Sequence, residues 1–376
     1  MWFNDLALTT KGSKVFTKVT KGLLIQLLGS GQNICYFCIM KFAGTELPEY
    51  PLFLAPMEDI TDPSFRMVCK KMGADIMYTE FISSDGLIRD GQKSVKKLDI
   101  FDYERPIGIQ LYGHIVGAMV EAAQIAEEAK PELIDINFGC PVKKIANRGA
   151  GSGMLRNIPL MIEMTEAIIK TVRLPVTVKT RIGWDDENKN IVDVAEKLQD
   201  VGVQGITIHG RTRAQMYKGT ADWTLIGEVK KNPRMRIPVI GNGDIDGAIK
   251  AKEMFEKYGV DGIMIGRATV GRPWIFRDIR HYLSTGEILP EPSVSEKADI
   301  ALYHLEQSLR YKDGRHAIFE MRRHLSNYFK GLPNFKETRM RLVTAPEADE
   351  IRSILGEIKE KWGDFRTEDK TSVYEM

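Results

Sequence analysis

The chain has 376 residues, a formal net charge of +2, 43% hydrophobic residues and four cysteines. That length suits one large α/β barrel or two ordinary domains, and the hydrophobic content excludes a disordered chain. Near-neutral charge leaves nucleic-acid binding to a local patch, and so few cysteines exclude a disulfide framework and point to a reducing cytoplasm.

Residues 1–39 fit poorly with the rest of the chain. Lys11, Lys14, Lys18 and Lys21 precede the apolar residues 23–28, loosely like a signal peptide. Gln26 interrupts that run, no small-residue cleavage site stands out, and the run is too short to span a bilayer. The expectation is a natural start at Met40, with 1–39 an upstream extension of little structure. Cys35 and Cys38 form a C-x-x-C without the second pair that a zinc site needs.

From Pro51 onward, short apolar runs recur at 52–55, 75–79, 107–111, 133–136, 176–179, 205–209, 239–241 and 262–265. Segments with apolar residues at three- and four-residue spacing lie between them, as at 116–128, 158–171, 191–201 and 249–258. Strand–helix alternation predicts a parallel sheet, because parallel neighbours need crossovers. Eight strands in ~215 residues is the arithmetic of a (β/α)8 TIM barrel, placed here at 40–290. An open doubly wound sheet would usually carry G-x-G-x-x-G after its first strand, where this chain has Ala55-Pro56-Met57.

After Leu289-Pro290-Glu291-Pro292 the strand pattern stops. Helices are predicted over 295–311, 316–330 and 347–361, with a break at Gly331-Leu332-Pro333, giving a small all-α helical domain over 291–376. Residues 310–341 carry nine Lys or Arg against three Asp or Glu, with His316, His324, Tyr328 and Phe329 interleaved. That mixture suits phosphate contacts and base stacking, and equally a solvated helix face.

Chemistry in such a barrel sits at the C-terminal ends of the strands. The residues found there are Pro56, Met57 and Glu58, then Gln110, Asn137 and Cys140, Lys179 and Arg181, His209, Arg211 and Arg213, Asn242-Gly243-Asp244, and Gly266-Arg267. They contain no carboxylate pair suited to glycoside hydrolysis and no His/Asp/Glu set at metal spacing, so no metal is expected. Gly241, Gly243 and Gly266 would admit close backbone approach, and Arg267 offers a donor fork, so the last two loops suit a phosphate-bearing ligand. Lys179 and Gln110 lie deeper, where a flat heterocycle would rest. A cation there stabilises a reduced, anionic flavin, and a Gln can both donate to and accept from the ring edge. Cys140, between Gly139 and Pro141, reads as a loop thiol, followed by Lys143 and Lys144, which would lower its pKa or attract an anion. The competing reading is a buried structural cysteine.

Residues 54–62 (LAPMEDITD), 137–144 (NFGCPVKK), 209–213 (HGRTR), 241–245 (GNGDI) and 266–274 (GRATVGRPW) together resemble the tRNA-dihydrouridine synthases, most closely their bacterial B-type branch. The resemblance covers about 51–328. Phe138 stands where Met or Leu is common and Glu58 where Ala is common, and residues 1–39 have no counterpart. The resemblance implies a cytoplasmic enzyme that reduces the C5–C6 double bond of tRNA uridines with FMN and NADPH (or NADH). It implies that Cys140 protonates C5, that Lys179 and His209 contact the flavin, and that Asn242, Gly243, Asp244, Gly266 and Arg267 hold its phosphate. Pro56, Met57 and Glu58 would line the ring beside Gln110. Asn137 would face the uracil, with Arg181 and Arg211 also on the substrate side. Whether Cys140 acts as acid or as nucleophile stays open at this level, since the adjacent lysines favour thiolate. The target base must leave the RNA fold, which calls for a positive rim. Two rivals are an FMN barrel acting on a free pyrimidine, like dihydroorotate dehydrogenase, and a tRNA-binding protein without catalysis. No membrane and no protein partner is implied.

Overall fold

Eight short apolar runs close into a barrel. The computed structural model describes residues 40–367 and the backbone of a two-residue ladder, Val19–Thr20 against Leu23–Leu24. The remainder of the expected extension, including Cys35 and Cys38, lies outside the described residues. The barrel strands are β1 (Leu52–Leu54), β2 (Met77–Tyr78), β3 (Ile107–Tyr112), β4 (Leu133–Asn137), β5 (Val176–Arg181), β6 (Ile206–His209), β7 (Val239–Asn242) and β8 (Gly262–Ile265). All neighbours are parallel, running from β1 through β8 and back down in order to β2. A Phe53–Ile76 bridge, with Leu54 N–H donating to Ile76 O at 3.0 Å, closes the ring. The predicted TIM barrel is therefore the observed fold.

Successive side chains on a strand point to opposite faces. Ile109, Ile134, Ile136, Val178, Ile206, Ile208, Ile263 and Ile265 face outward and belong to the large core beneath the helices. Phe53, Tyr78, Leu133, Ile240 and Met264 face inward and fill the lower barrel. A hairpin, Met40–Phe42 against Thr45–Leu47, closes the bottom. Its Phe42 meets Phe53 edge to face at 5.0 Å and is fully buried. Gly205 makes room for it, since a Cβ there would lie 2.5 Å from the Phe42 ring.

The strand register sets heights inside the barrel. Gln110 lies opposite Asp135, and Asp135 opposite Thr177. One step higher, Asn137 lies opposite Lys179, while Arg181, His209 and Asn242 share the level above that. This stagger, inherent to a barrel with tilted strands, lifts Asn137, Lys179, His209 and Asn242 to the mouth and leaves Gln110 a layer below.

The outer helices include α1 (Pro63–Lys71), α2 (Val116–Glu128), α3 (Ile158–Thr171), α4 (Ile191–Asp200), α5 (Thr224–Lys231), α6 (Ala248–Tyr258) and α7 (Ile275–Thr285). Four more follow: α8 (Val294–Tyr311), α9 (Gly314–Tyr328), α10 (Lys336–Thr344) and α11 (Ala348–Trp362). Helix α10 carries no sequence signal because Leu342 is its single buried side chain. None of the helices among the described residues is long and apolar enough to cross a membrane.

Helix α1 joins the two parts. Asp62 caps it by accepting from the Phe65 N–H at 2.9 Å, and Lys312 of the α8–α9 turn donates to the same carboxylate. Phe65 packs on His304 and His324, with ring centroids 5.3 and 4.4 Å away. His324, Tyr328 and Phe329, expected as a stacking surface, are instead core residues of the helical part. Their spacing in α9 puts them on its apolar face. Arg315, His316, Phe319 and Arg323 remain exposed on the same helix.

Phe42→Ala should destabilise the protein by about 3–5 kcal/mol, because it empties the barrel floor. Urea unfolding would measure this, and a loss below about 1 kcal/mol would show that the hairpin does not seal the barrel.

Candidate active site at the barrel mouth

The mouth holds a cavity of about 650 Å3. Among the expected residues, Pro56, Met57, Glu58, Asn137, Cys140, Lys179, Arg181, His209, Asn242, Gly243, Asp244, Gly266 and Arg267 line it, whereas Gln110 and Arg211 do not.

The floor begins with Asp135, a buried carboxylate at an inward position of β4. Burial raises its pKa to about 6, opposed by hydrogen bonds from Gln110 and Thr177 and by the charge of Lys179. Thr177 Oγ1 and Gln110 Nε2 each donate to it at 2.6 Å. An ionised carboxylate only accepts, so Gln110 must turn its amide nitrogen downward. Its Oε1 then accepts from Asn137 Nδ2 at 2.9 Å. That in turn leaves Asn137 Oδ1 to accept from both Gly139 N–H and Cys140 N–H, each at 2.9 Å. Gln110, expected at a ring edge, is thus fully buried beneath the cavity, with its amide engaged at both ends. The Asn137 carbonyl, expected on the uracil, is committed to the cysteine loop, which leaves one N–H of its amide for a ligand.

The Gly-rich stretch after Cys140 supports the loop from behind. Ser152 donates to the Cys140 carbonyl through both N–H (3.1 Å) and Oγ (2.7 Å). Gly151 sits at φ +55°, and a Cβ there would come within 3.0 Å of that same carbonyl. Burial pushes the Cys140 thiol above its ordinary range, against a Val142 backbone hydrogen bond and the charges of Arg181 and Lys179. Lys143 and Lys144, expected to lower it, are solvent-exposed. The result is a thiol protonated at neutral pH on a cavity wall, which is able to donate a proton.

Two cations face this thiol's side of the cavity. Lys179 is held at a pKa of about 8 by burial and by repulsion from Arg181, and it donates to Asn242 Oδ1 at 3.1 Å. Arg181 Nε donates to Gly139 O at 2.7 Å, and its Nη1 donates to Thr212 O and Met216 O. It thereby ties the cysteine loop to the loop after β6. Burial, reinforced by the surrounding cations, holds His209 well below its usual pKa, so it is neutral. Arg211 Nη1 lies 3.5 Å from His209 Nε2, and a guanidinium only donates, so that nitrogen carries the lone pair.

Arg211, expected to touch substrate, is buried beneath the wall. It grips Asp244 with two bonds of 2.8 and 2.7 Å and donates to the carbonyls of Lys218 and Gly219. Arg267 reaches Asp244 from the rim at 3.1 Å. Gly241, expected to admit a ligand, is required by packing instead, since a Cβ there would fall 2.0 Å from the Trp223 ring. Gly266 differs: a Cβ there meets nothing closer than Ala55 Cβ at 3.4 Å, so its backbone borders open cavity.

Sequence reasoning passes over Asp135, Phe81 and Tyr217. A carboxylate inside the apolar run of β4, at the same parity as Asn137, is the signal that could have found Asp135. Phe81 and Tyr217 are single loop aromatics with no such signal. Tyr217 stands half-exposed over the mouth, with the Arg181 and Arg267 guanidinium carbons 5.8 and 5.1 Å from its ring centre.

Asp135→Asn should let the chain of amides reverse, because the new side chain can present an NH2 to Gln110. The amides of Gly139 and Cys140 would then face an NH2, at a cost of about 1–3 kcal/mol. Faster alkylation of Cys140 by iodoacetamide at neutral pH is the expected result. Adding Gln110→Glu, which restores an acceptor facing Asn137, should return the slow rate. An unchanged rate in Asp135→Asn would sink the idea.

A sequence model of the dihydrouridine synthase family matches residues 53–359. The "Probable tRNA-dihydrouridine synthase" of Rickettsia bellii is 42% identical over 302 residues, covering 80% of this chain and 92% of that protein. A tRNA-dihydrouridine synthase B of Pseudomonas aeruginosa is 40% identical over 298 residues, covering 79% and 89%. Among solved structures, a histamine dehydrogenase from Rhizobium sp. 4-9 superposes with a TM-score of 0.52 at 11% identity, over 87% of this chain and 65% of that one. That last likeness is one of fold.

Proposed function

Because the chain belongs to the dihydrouridine synthase family, we propose that it reduces the C5–C6 double bond of uridines in tRNA, using FMN and NADPH or NADH. The observation that carries this reading is the buried, protonated Cys140 thiol on the wall of a cavity that also holds a part-buried lysine.

The residues present fit a flavin. The part-buried Lys179 ammonium has three protons and one side-chain acceptor, Asn242, so it retains donors for a ligand. The open backbone at Gly266 and the rim guanidinium of Arg267 suit the ribityl phosphate, with Asn242, Gly243 and Asp244 beside them. Pro56, Met57 and Glu58 would border the ring, and neutral His209 would contact it. A flavin held there would supply the hydride that C6 of the base receives. Cys140 delivers the proton to C5, and the thiolate it leaves behind is stabilised by Arg181 and Lys179, the two cations already acting on it. Asn137 directs its remaining N–H to the base and keeps Cys140 in place.

A base in folded tRNA reaches this depth only by leaving its stack. The exposed side chains Arg315, Phe319 and Arg323 of α9 offer charge and a flat ring for the RNA, and they support reading 291–376 as a tRNA-binding domain beside an FMN barrel at 40–290. Arg323 donates to the carbonyl of Asp59 in the loop after β1, which brings this surface to the rim of the cavity. The reductant would enter by the same mouth, before the RNA. With tRNA as its substrate, we propose a cytoplasmic location.

The test is mass spectrometry of nuclease-digested tRNA after incubation of unmodified tRNA with protein, FMN and NADPH. Dihydrouridine should appear, and Cys140→Ala should lower its rate by roughly 10²–10⁴-fold. Turnover of free uridine at a comparable rate would favour the small-pyrimidine reading instead.

Lys179→Met should give a more stable protein that no longer holds flavin. Burial makes the ammonium costly in the folded apoprotein at any pH below about 8. Its depressed pKa means that the cost fades as pH rises from there toward the unfolded value. Thermal melting of the flavin-free protein should therefore rise in the variant at neutral pH. A lower melting temperature with flavin retained would refute both roles.

A further inference from the structure

A second cavity, of about 290 Å3, opens beside the first, and Glu58, Phe81 and Val142 line both. We propose that it seats the nucleotide adjacent to the target uridine on the RNA strand. The inference rests on the tRNA reading above.

Chemistry and connectivity both point that way. Phe81 and Tyr112 line the cavity as an edge-to-face pair, with ring centroids 5.3 Å apart and planes at 81°. Half-exposed rings at right angles offer a face and an edge to a nucleobase, and stacking of this kind is tolerant of sequence. Lys144 and Arg148, both exposed, also line it. Among the described residues neither enters an ion pair or a side-chain hydrogen bond. By contrast, Arg341 and Arg352 in the helical part are matched to Glu357 and Glu306. The Glu58 carboxylate at the shared wall is neutralised by Lys97 at 2.5 Å. Asp85 adds an acceptor suited to a base amino group.

The chain itself links the two cavities. Lys144 follows Cys140 by four residues, on the short helix Lys143–Ala146 that leaves the cysteine loop. A strand whose flipped base lies against Cys140 carries its phosphate past Val142 toward Lys144 and Arg148. Its next base then meets Phe81 and Tyr112. Two free cations on a path leading away from the reacting centre, with an aromatic pair at its end, are the elements of a single-strand binding groove.

The experiment compares wild type with Lys144→Ala/Arg148→Ala in two assays on the FMN-loaded enzyme. The first is kcat/KM for dihydrouridine formation in full-length tRNA as a function of salt. The second is the rate of flavin reduction by NADPH without RNA. Roughly a tenfold or greater fall in kcat/KM is expected, with a salt dependence shallower by roughly 1.4 in log–log slope for two lost phosphate contacts. Flavin reduction and melting temperature should stay at wild-type values. An unchanged kcat/KM and slope would overturn the inference. So would slowed flavin reduction with normal salt dependence, which would assign the cavity to the nucleotide portion of the reductant. Product formation by wild type reports on the tRNA reading, while the ratio of variant to wild type reports on this site.

Discussion

One accept-only group inside the barrel orders the polar chemistry above it. Asp135 takes two short donations, from Thr177 and Gln110, and this fixes which way each amide above it must face. The direction passes through Gln110 and Asn137 to the backbone of the cysteine loop. A neutral amide at the base of that chain would permit two orientations. The carboxylate permits one. Asp135 and Lys179 also show which electrostatic effect wins here. Each attracts the other, yet the acid is raised to about 6 and the amine lowered to about 8. Loss of water, joined at Lys179 by repulsion from Arg181, outweighs their mutual attraction, yet values of about 6 and about 8 leave both charged at neutral pH.

The reactivity of the thiol depends on neighbours in space more than on neighbours in sequence. Lys143 and Lys144 are adjacent along the chain but lie in solvent, where their charge is screened. Arg181, forty-one residues away in sequence, is bonded to the carbonyl of Gly139 and acts at close range. An acid that must stay protonated until its substrate is placed is better served by this arrangement. In the proposed reaction, the cation that would steady the resulting thiolate is one that already braces the loop.

Parity was legible in the sequence, and height was not. The apolar runs locate all eight strands, and helices such as 116–128 and 158–171 coincide with α2 and α3, because periodicity is local. Parity alone also places Asn137, Lys179, His209 and Asn242 on the inner face. Gln110 shares that parity, but its depth depends on stagger between strands, a property of closure that no single segment carries. Arg211 lies beyond the end of β6, where parity ceases to hold, and Asp244 captures it. Gly241 resembled a ligand glycine because a glycine looks the same whether it yields to a phosphate or to Trp223. In α9 the apolar face of an amphipathic helix took up His324 and Tyr328, as the shared core with Phe65 required.

Helix α1 belongs to both parts of the molecule at once. Its cap residue Asp62 holds Lys312, and its first-turn Phe65 packs against two buried histidines of the helical part that also touch each other. Such a joint is packed and ion-paired on both sides. The helical part and the barrel mouth therefore behave like the jaws of a calliper locked at one opening. Whatever is gripped by one jaw presents a fixed distance to the other. On the proposed reading of the helical part as the RNA grip, the choice among chemically identical uridines would become a matter of measured length, set at this joint.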